Sequence, residues 1–174
     1  MNSTFDVYKV IDNNGDSAST VEPTGNKSTS VFSTGDSYKW KYMYSLSASE
    51  QANFLSTDFM HVSTESTDYS TTAGAIENAK VTAGGSGGTN GTYTNVDIRG
   101  DGSSGKATVV VSSNAVTSVT ITTAGSGYTF ASVLASDIGS VSGADIDFII
   151  SPPGGHASDA VAELGGFFVM MNVD

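Results

Sequence analysis

The sequence predicts a mainly β protein: an antiparallel β-sandwich or barrel-like domain with one short helix and an inserted glycine-rich β module. Three observations predict it. Residues 35–44 hold the only tryptophan and three of the seven tyrosines, and period-two spacing puts Tyr38, Trp40, Tyr42 and Tyr44 on one face of a strand with Lys39, Lys41 and Met43 on the other. A helix would scatter those rings. Valine far outnumbers leucine and threonine is abundant, a choice that suits pleated, half-buried strands. Residues 144–150 alternate again, Asp145 and Asp147 on a wet face against Ile146, Phe148 and Ile150 on a core face.

The elements follow in order along the chain. Residues 5–11 alternate as a strand, and Asp12-Asn13-Asn14-Gly15-Asp16 closes it with turn chemistry. Residues 17–34 are a polar surface loop containing Pro23 and Gly25. After the aromatic strand, Ser47 and Glu50 have the spacing of a capping box, which places the one helix at residues 48–55. Residues 59–62 return to strand, and 63–74 form a Ser/Thr-rich linker. From about Lys80 the texture changes to short strands punctuated by glycine, and Ala83-Gly84-Gly85-Ser86-Gly87 recurs weakly as Ala124-Gly125-Ser126-Gly127-Tyr128. A strand near 95–99 and a turn at 100–105 precede two β-branched runs, 106–112 and 115–122. Their joint at Ser113-Asn114 reads as a hairpin, since Asn tolerates the positive φ of a tight turn. The strand at 144–150, a loop at 151–158 and a final strand at 167–173 complete the chain. The composition change divides it into an outer domain of residues 1–77 with 139–174 and an insert of 78–138.

Composition limits what the chain can do. At 174 residues it can bury a real core as one domain or two small ones, and 38% apolar residues with 20 glycines is not the composition of a disordered chain. A net charge of -11 with dispersed lysines argues against nucleic acid as a partner. No basic and apolar leader and no membrane-spanning run is encoded, and without cysteine neither disulfides nor thiolate metal sites are available.

Several segments together resemble a known family. They are Val7-Tyr8-Lys9, Ser19-Thr20-Val21-Glu22-Pro23, the strand Tyr38-Lys39-Trp40-Lys41-Tyr42-Met43-Tyr44, Thr57-Asp58-Phe59, and Ser151-Pro152-Pro153-Gly154-Gly155-His156 followed by Glu163-Leu164-Gly165. In this order they resemble the baseplate wedge subunit, gene product eight, of T-even-like contractile-tailed bacteriophages and their cyanophage relatives. The resemblance covers both ends of the chain; the middle, about 80–135, is a glycine-rich β-module without family specificity. It implies one β-domain inserted into another, a missing N-terminal part upstream of Met1, and a structural role without catalysis. It also implies location in the virion tail baseplate after synthesis in the host cytoplasm, with other wedge proteins and a second copy as partners. Tyr38, Trp40, Tyr42, Tyr44, Pro152, Pro153, Gly154, Gly155, His156 and Glu163 are the structural markers of that resemblance.

No catalytic, cofactor-binding or metal-binding residues are expected. Gly84-Gly85-Ser86-Gly87-Gly88 spells a nucleophile elbow, but Thr89-Asn90-Gly91 cannot start the helix an elbow requires. Gly100-Asp101-Gly102-Ser103-Ser104-Gly105 spells a phosphate loop, yet a strand follows it. Arg99-Gly100-Asp101 reads as a hairpin tip. The acidic turn at 12–16 has its glycine misplaced for a calcium loop, with Pro23 where the bidentate glutamate belongs. Asp145 and Asp147 form no glycosidase pair without a cleft. His156 and His61 are the only imidazoles, and His156 is expected to fix its own loop. The rival function is a carbohydrate-binding or host-adhesion module in which exposed rings on the aromatic strand stack on sugars. Buried rings favour the structural role, and Lys39 and Lys41 are then expected to face solvent or a partner.

Overall fold

A computed structural model of the chain describes residues 1–25, 27–63 and 69–168. Its elements run β1 (Asp6–Asp12), β2 (Phe32–Ser33), β3 (Lys39–Ser45), α1 (Ala48–Phe54), β4 (Ile76–Ser86), β5 (Gly91–Asp97), β6 (Arg99–Gly100), β7 (Lys106–Ser112), β8 (Ala115–Thr123), β9 (Ala131–Ser132), a 3-10 helix (Ala135–Ile138), β10 (Ser142–Ile150) and α2 (Ala160–Leu164). All strand pairings among the described residues are antiparallel, and the protein is mainly β. Two compact units divide it: an outer unit of Met1–Thr71 with His156–Asp174, and an inserted unit of Thr72–Gly155.

In the outer unit β3 lies between β1 and β2. Its pairing with β1 is interrupted twice: Tyr8 sits opposite Tyr42 and Val7 opposite Tyr44, which leaves Met43 as an extra residue on β3, and a second shift falls between Val10 and Asp12. A bulge of this kind re-aims the side chains beyond it. The four rings therefore do not share one face. Tyr42 packs edge-on against Tyr8 at 5.7 Å and Tyr69 at 4.8 Å, whereas Tyr44 joins Val7, Met43 and Leu46 in a core closed by Ala157 and Ala160.

The expectation that Lys41 faces solvent is overturned, because Lys41 is 0% exposed. Its Nζ donates to the carbonyls of Ser28 at 2.9 Å and Tyr42 at 2.7 Å. A charged group enters an interior only with partners of this sort. Lys39 is half-buried.

The capping box forms as read: Ser47 accepts from the Glu50 amide, and Glu50 reaches back to the Ser47 amide. A second helix, α2, forms between the loop expected at 151–158 and the strand expected at 167–173, where the sequence predicts no element. Asp159 caps it by accepting from the Ala162 amide at 3.0 Å, and Gly165 ends it at φ 66°. The strand expected at 59–62 is absent. The Ser56 hydroxyl instead accepts from the amides of Asp58 and Phe59 in a local turn, leaving Phe59 72% exposed. Of the strand expected at 167–173, Phe167 and Phe168 are exposed and irregular, and the rest lies outside the described residues.

The inserted unit is larger than composition suggested, and its boundaries differ from 78 and 138. The alternating strand β10 pairs along its length with β4, Ile150 opposite Ile76 and Ser142 opposite Ser86, so both flanks of the expected insert belong inside it. The glycines of β4 that looked like loop punctuation are strand residues there. Two-stranded β4-β10 and three-stranded β5-β7-β8 share one core of Ile76, Val96, Ala107, Val109, Val111, Val116, Ile138 and Val141. The β7–β8 hairpin turns at Ser113 (φ 53°) and Asn114 (φ 65°), the two positive angles the tight turn requires.

Tyr128 accounts for part of the glycine-rich texture. Its ring, 2% exposed, joins the core and packs against the backbone of Gly102, Gly105 and Gly125. A Cβ on Gly102 would lie 2.5 Å from the ring, on Gly125 2.8 Å, and on Gly105 2.9 Å from the hydroxyl. The hydroxyl accepts from the Gly105 amide and donates to the Ile98 carbonyl, both at 3.0 Å. Tyr128→Phe leaves both backbone groups unpaired and is expected to destabilise the inserted unit by about 1–3 kcal/mol. Urea unfolding, with hydrogen exchange read at the Gly105 amide, checks this.

Candidate functional site

The marker residues fall into two polar clusters in the outer unit and one turn at the end of the inserted unit. In that turn Gly155 donates its amide to the Pro152 carbonyl at 2.8 Å, and Gly154 and Gly155 both sit at φ 88°, where a side chain would be strained. Pro152 and Pro153 restrict the approach to it. The next residue, His156, re-enters the outer unit.

His156 is 3% exposed. Its backbone pairs with Thr71, donating to the hydroxyl at 2.8 Å and accepting from the amide at 3.0 Å. One helical turn into α2, Glu163 points back at this segment. Its Oε1 is 3.0 Å from His156 Nδ1, its Oε2 accepts from the Ala157 amide at 3.2 Å, and Lys9 Nζ from β1 stands 3.8 Å from Oε2. A carboxylate only accepts, so Nδ1–H is the donor in this pair, and Lys9 Nζ also stands 3.5 Å from Nδ1. Among the described residues Nε2 has no hydrogen-bond partner. Burial pushes the Glu163 carboxyl up, but the hydrogen bonds from His156 and Ala157 and the charge of Lys9 outweigh it and hold the carboxyl below its ordinary range.

The second cluster surrounds the aromatic strand. Tyr38 and Trp40 stack at 5.4 Å with planes 22° apart, and Trp40 donates its indole N–H to the Thr34 hydroxyl at 3.1 Å. Tyr42 is 3% exposed, with its hydroxyl 2.7 Å from Ser45 Oγ. Ser45 in turn donates to the buried carboxylate of Asp6, which Lys27 Nζ meets at 2.7 Å. Burial raises the Asp6 carboxyl, but Lys27, Ser45 and Thr4 together bring it below the ordinary value. Tyr44, also 3% exposed, donates to the His61 carbonyl at 2.9 Å, and burial, aided by the charge of Glu50, pushes its phenol up to about 12.

Burial thus brings Tyr42, Tyr44, His156 and Glu163 into the interior of one unit, while Trp40 remains half-buried. Lys9, Thr71, Asp6 and Lys27 complete the clusters, yet sequence spacing does not identify them. Their positions depend on strand register and on a return of the chain from residues far downstream. The two imidazoles are held apart in separate roles, His61 Nδ1 lying 3.1 Å from Glu50 while its ring stacks on Phe54.

The other motifs become local structure. Asp101 of the Arg-Gly-Asp triplet accepts from the Thr129 hydroxyl at 2.6 Å and amide at 2.8 Å, and Gly102 and Gly105 of the apparent phosphate loop pack on Tyr128. In the acidic turn Asp12 accepts from the Asn14 amide at 2.9 Å and Asn13 donates to Asp16 at 2.6 Å. Among the described residues no group of three or more His, Cys, Asp or Glu side chains is placed to hold a metal ion, and no helix is long and apolar enough to cross a membrane. His156–Glu163–Lys9 acts as a clamp between α2, the 156–157 segment and β1.

Comparison of the chain with protein-family models found no match, and comparisons with curated proteins and with solved structures found none either.

The clamp makes a pH-dependent contribution of definite sign. The Glu163 carboxyl titrates lower folded than its unfolded value of 4.5, so its stabilisation is complete above that value and is lost as pH falls through the folded-state value. Glu163→Gln is expected to lose about 1–3 kcal/mol at neutral pH. In urea titrations from pH 7 into acid, the gap between wild type and variant should narrow as the carboxyl protonates.

Proposed function

We propose that this chain is a structural subunit of a contractile-tail baseplate wedge that works through protein–protein assembly, without catalysis. The observation that carries the reading is the gathering of the segments that resemble the wedge subunit. Val7-Tyr8-Lys9 in β1, the aromatic strand β3, and His156 with Glu163 in the C-terminal return all meet in one unit and form its core and clamp. Residues far apart in sequence are used jointly there, which supports reading the ordered match as one folded framework.

Burial of the rings supports the structural role over the adhesion alternative for this strand. Tyr42 and Tyr44 at 3% exposure and Tyr38 at 9% are closed to a sugar, and the half-buried Trp40 is stacked on Tyr38 with its indole N–H given to Thr34. On this reading the protein is made in the host cytoplasm and resides in the virion tail baseplate. Its partners are other wedge proteins and a second copy held through an isologous contact. Neither nucleic acid nor membrane is a partner, in keeping with the charge of -11.

Gold-labelled antibody raised against the chain, applied to virions produced from the genome that encodes it, is expected to decorate the distal end of the tail. Labelling confined to fibres or heads, or none on disrupted particles that expose every tail protein, would overturn the assignment.

A further inference from the structure

We infer that an apolar patch on the outer unit, made by Phe54, Phe59, Met60, Phe167 and Phe168, docks an apolar segment of another protein that carries lysine or arginine beside its apolar side chains. Phe167, Phe168 and Phe59 are 93%, 85% and 72% exposed, and Phe54 and Met60 are exposed as well. Single surface hydrophobics are ordinary, whereas a contiguous group of them marks an interaction surface.

The five are contiguous because the segments that carry them are tied together. Phe54 ends α1, a helix that buries none of its residues, and its ring stacks on His61 at 5.7 Å. The Ser56 amide donates to the Phe59 carbonyl at 2.9 Å, closing the turn between them. Val62 lies beside Gly166, where an added Cβ would meet its side chain at 3.4 Å, and the Gly166 amide donates to the Val161 carbonyl at 2.7 Å. Phe167 and Phe168 follow directly. The adjoining Leu55, Val62 and Leu164 pack on the core of the unit, so the patch stands on a fixed base. Its three most exposed rings alone offer about 400–600 Å². With Phe54 and Met60 the patch approaches the ~800 Å² that each partner gives to a stable interface.

Charge identifies the occupant. Residues 42–79 and 156–174, the stretches that hold the patch, contain neither lysine nor arginine. Asp58 is exposed within the turn, and Glu50 stands on α1 with His61 Nδ1 at 3.1 Å. Lys9 reaches α2 from β1, but Glu163 and His156 engage it. A second copy seated on the patch would therefore set acids against acids, with no cation from either stretch to balance them. Anionic lipid and nucleic acid meet the same repulsion in a chain of net charge -11. A segment with apolar anchors and a basic border satisfies both features: its anchors cover the rings, and its cations meet the acidic rim.

The test is a titration of the isotopically labelled full chain with a synthetic amphipathic Leu/Lys helix, read by amide shifts in nuclear magnetic resonance. A Leu/Glu helix and a Ser/Lys peptide serve as comparisons, the first keeping the apolar face and the second the charge. The Leu/Lys helix is expected to move the amides of Phe54, Phe59, Met60 and Phe167. Its affinity should fall at least about tenfold in Phe59→Ser and in Phe167→Ser, whose exposed positions leave the fold intact, as unchanged spectra elsewhere will verify. Either comparison peptide should bind at least about tenfold more weakly. No response to the Leu/Lys helix, shifts confined to other residues, equal binding of either comparison, or undiminished affinity in both variants would overturn the surface. So would a dimer in sedimentation equilibrium, or binding to phosphatidylcholine vesicles, that the same variants abolish, since the patch would then belong to a second copy or to lipid. A partner surface of this chemistry fits the assembly reading but does not rest on it, so its failure would leave the tail location to the antibody labelling.

Discussion

The rest of the architecture depends on one constraint: a polar group taken from water must be met by protein partners. Each unit places such a group at its centre. In the inserted unit it is the Tyr128 hydroxyl, bridging the Gly105 amide and the Ile98 carbonyl. In the outer unit it is the Glu163 carboxylate, shared by His156, the Ala157 amide and Lys9. The partners of Tyr128 lie 23 and 30 residues away and Lys9 reaches Glu163 from the other end of the chain, so these contacts are assembled only when distant segments fold together. Misplaced registers therefore leave a buried group unpaired, at a cost of about 1–3 kcal/mol, and the polar centres favour the native pairing over near alternatives.

Bulges then determine which surfaces those centres leave available. At Met43 the extra residue turns Tyr44 away from Tyr42, so that one strand supplies rings to two packing environments. At Thr94 and Asn95 the same device works at a sheet edge and displays polar side chains in succession. An interior use and an exterior use thus come from one backbone irregularity, distinguished only by whether another layer covers the strand.

Local chemistry was legible wherever a residue acts through its near neighbours. Ser47 and Glu50 announced a helix start, Ser113-Asn114 a hairpin, and the alternation of Asp145 and Asp147 a half-wet strand. Lys41 was misread because period-two reasoning assigns faces relative to one sheet and says nothing about what covers the second face; here Ser28 and Tyr42 supply carbonyls to it. The five residues of α2 are too few to generate a helical period, although Asp159 and Gly165 bracket them with the expected caps. Residues 59–62 form no strand for the opposite reason: apolar residues are present, but among the described residues no strand pairs with them. The insert's limits were drawn from composition, whereas the pairing of β4 with β10 draws them from hydrogen bonds. Of the polar clusters, the rings of β3 with His156 and Glu163 stand out through the resemblance, whereas Asp6, Lys27 and Thr71 carry no spacing signal.

Where the chain leaves the outer unit and where it returns, Thr71 and His156 are already joined by two hydrogen bonds, at 2.8 and 3.0 Å. The inserted unit closes its own ends separately, through Gly74 to Ser151 and Ser151 to Ala75. Such a junction is indifferent to what is spliced into it, because the entropic cost of holding the flanks together is met by the host and grows only slowly with the length of the guest. A lineage could therefore exchange or delete the glycine-rich cassette while keeping the host framework, and the two parts would be free to diverge at different rates.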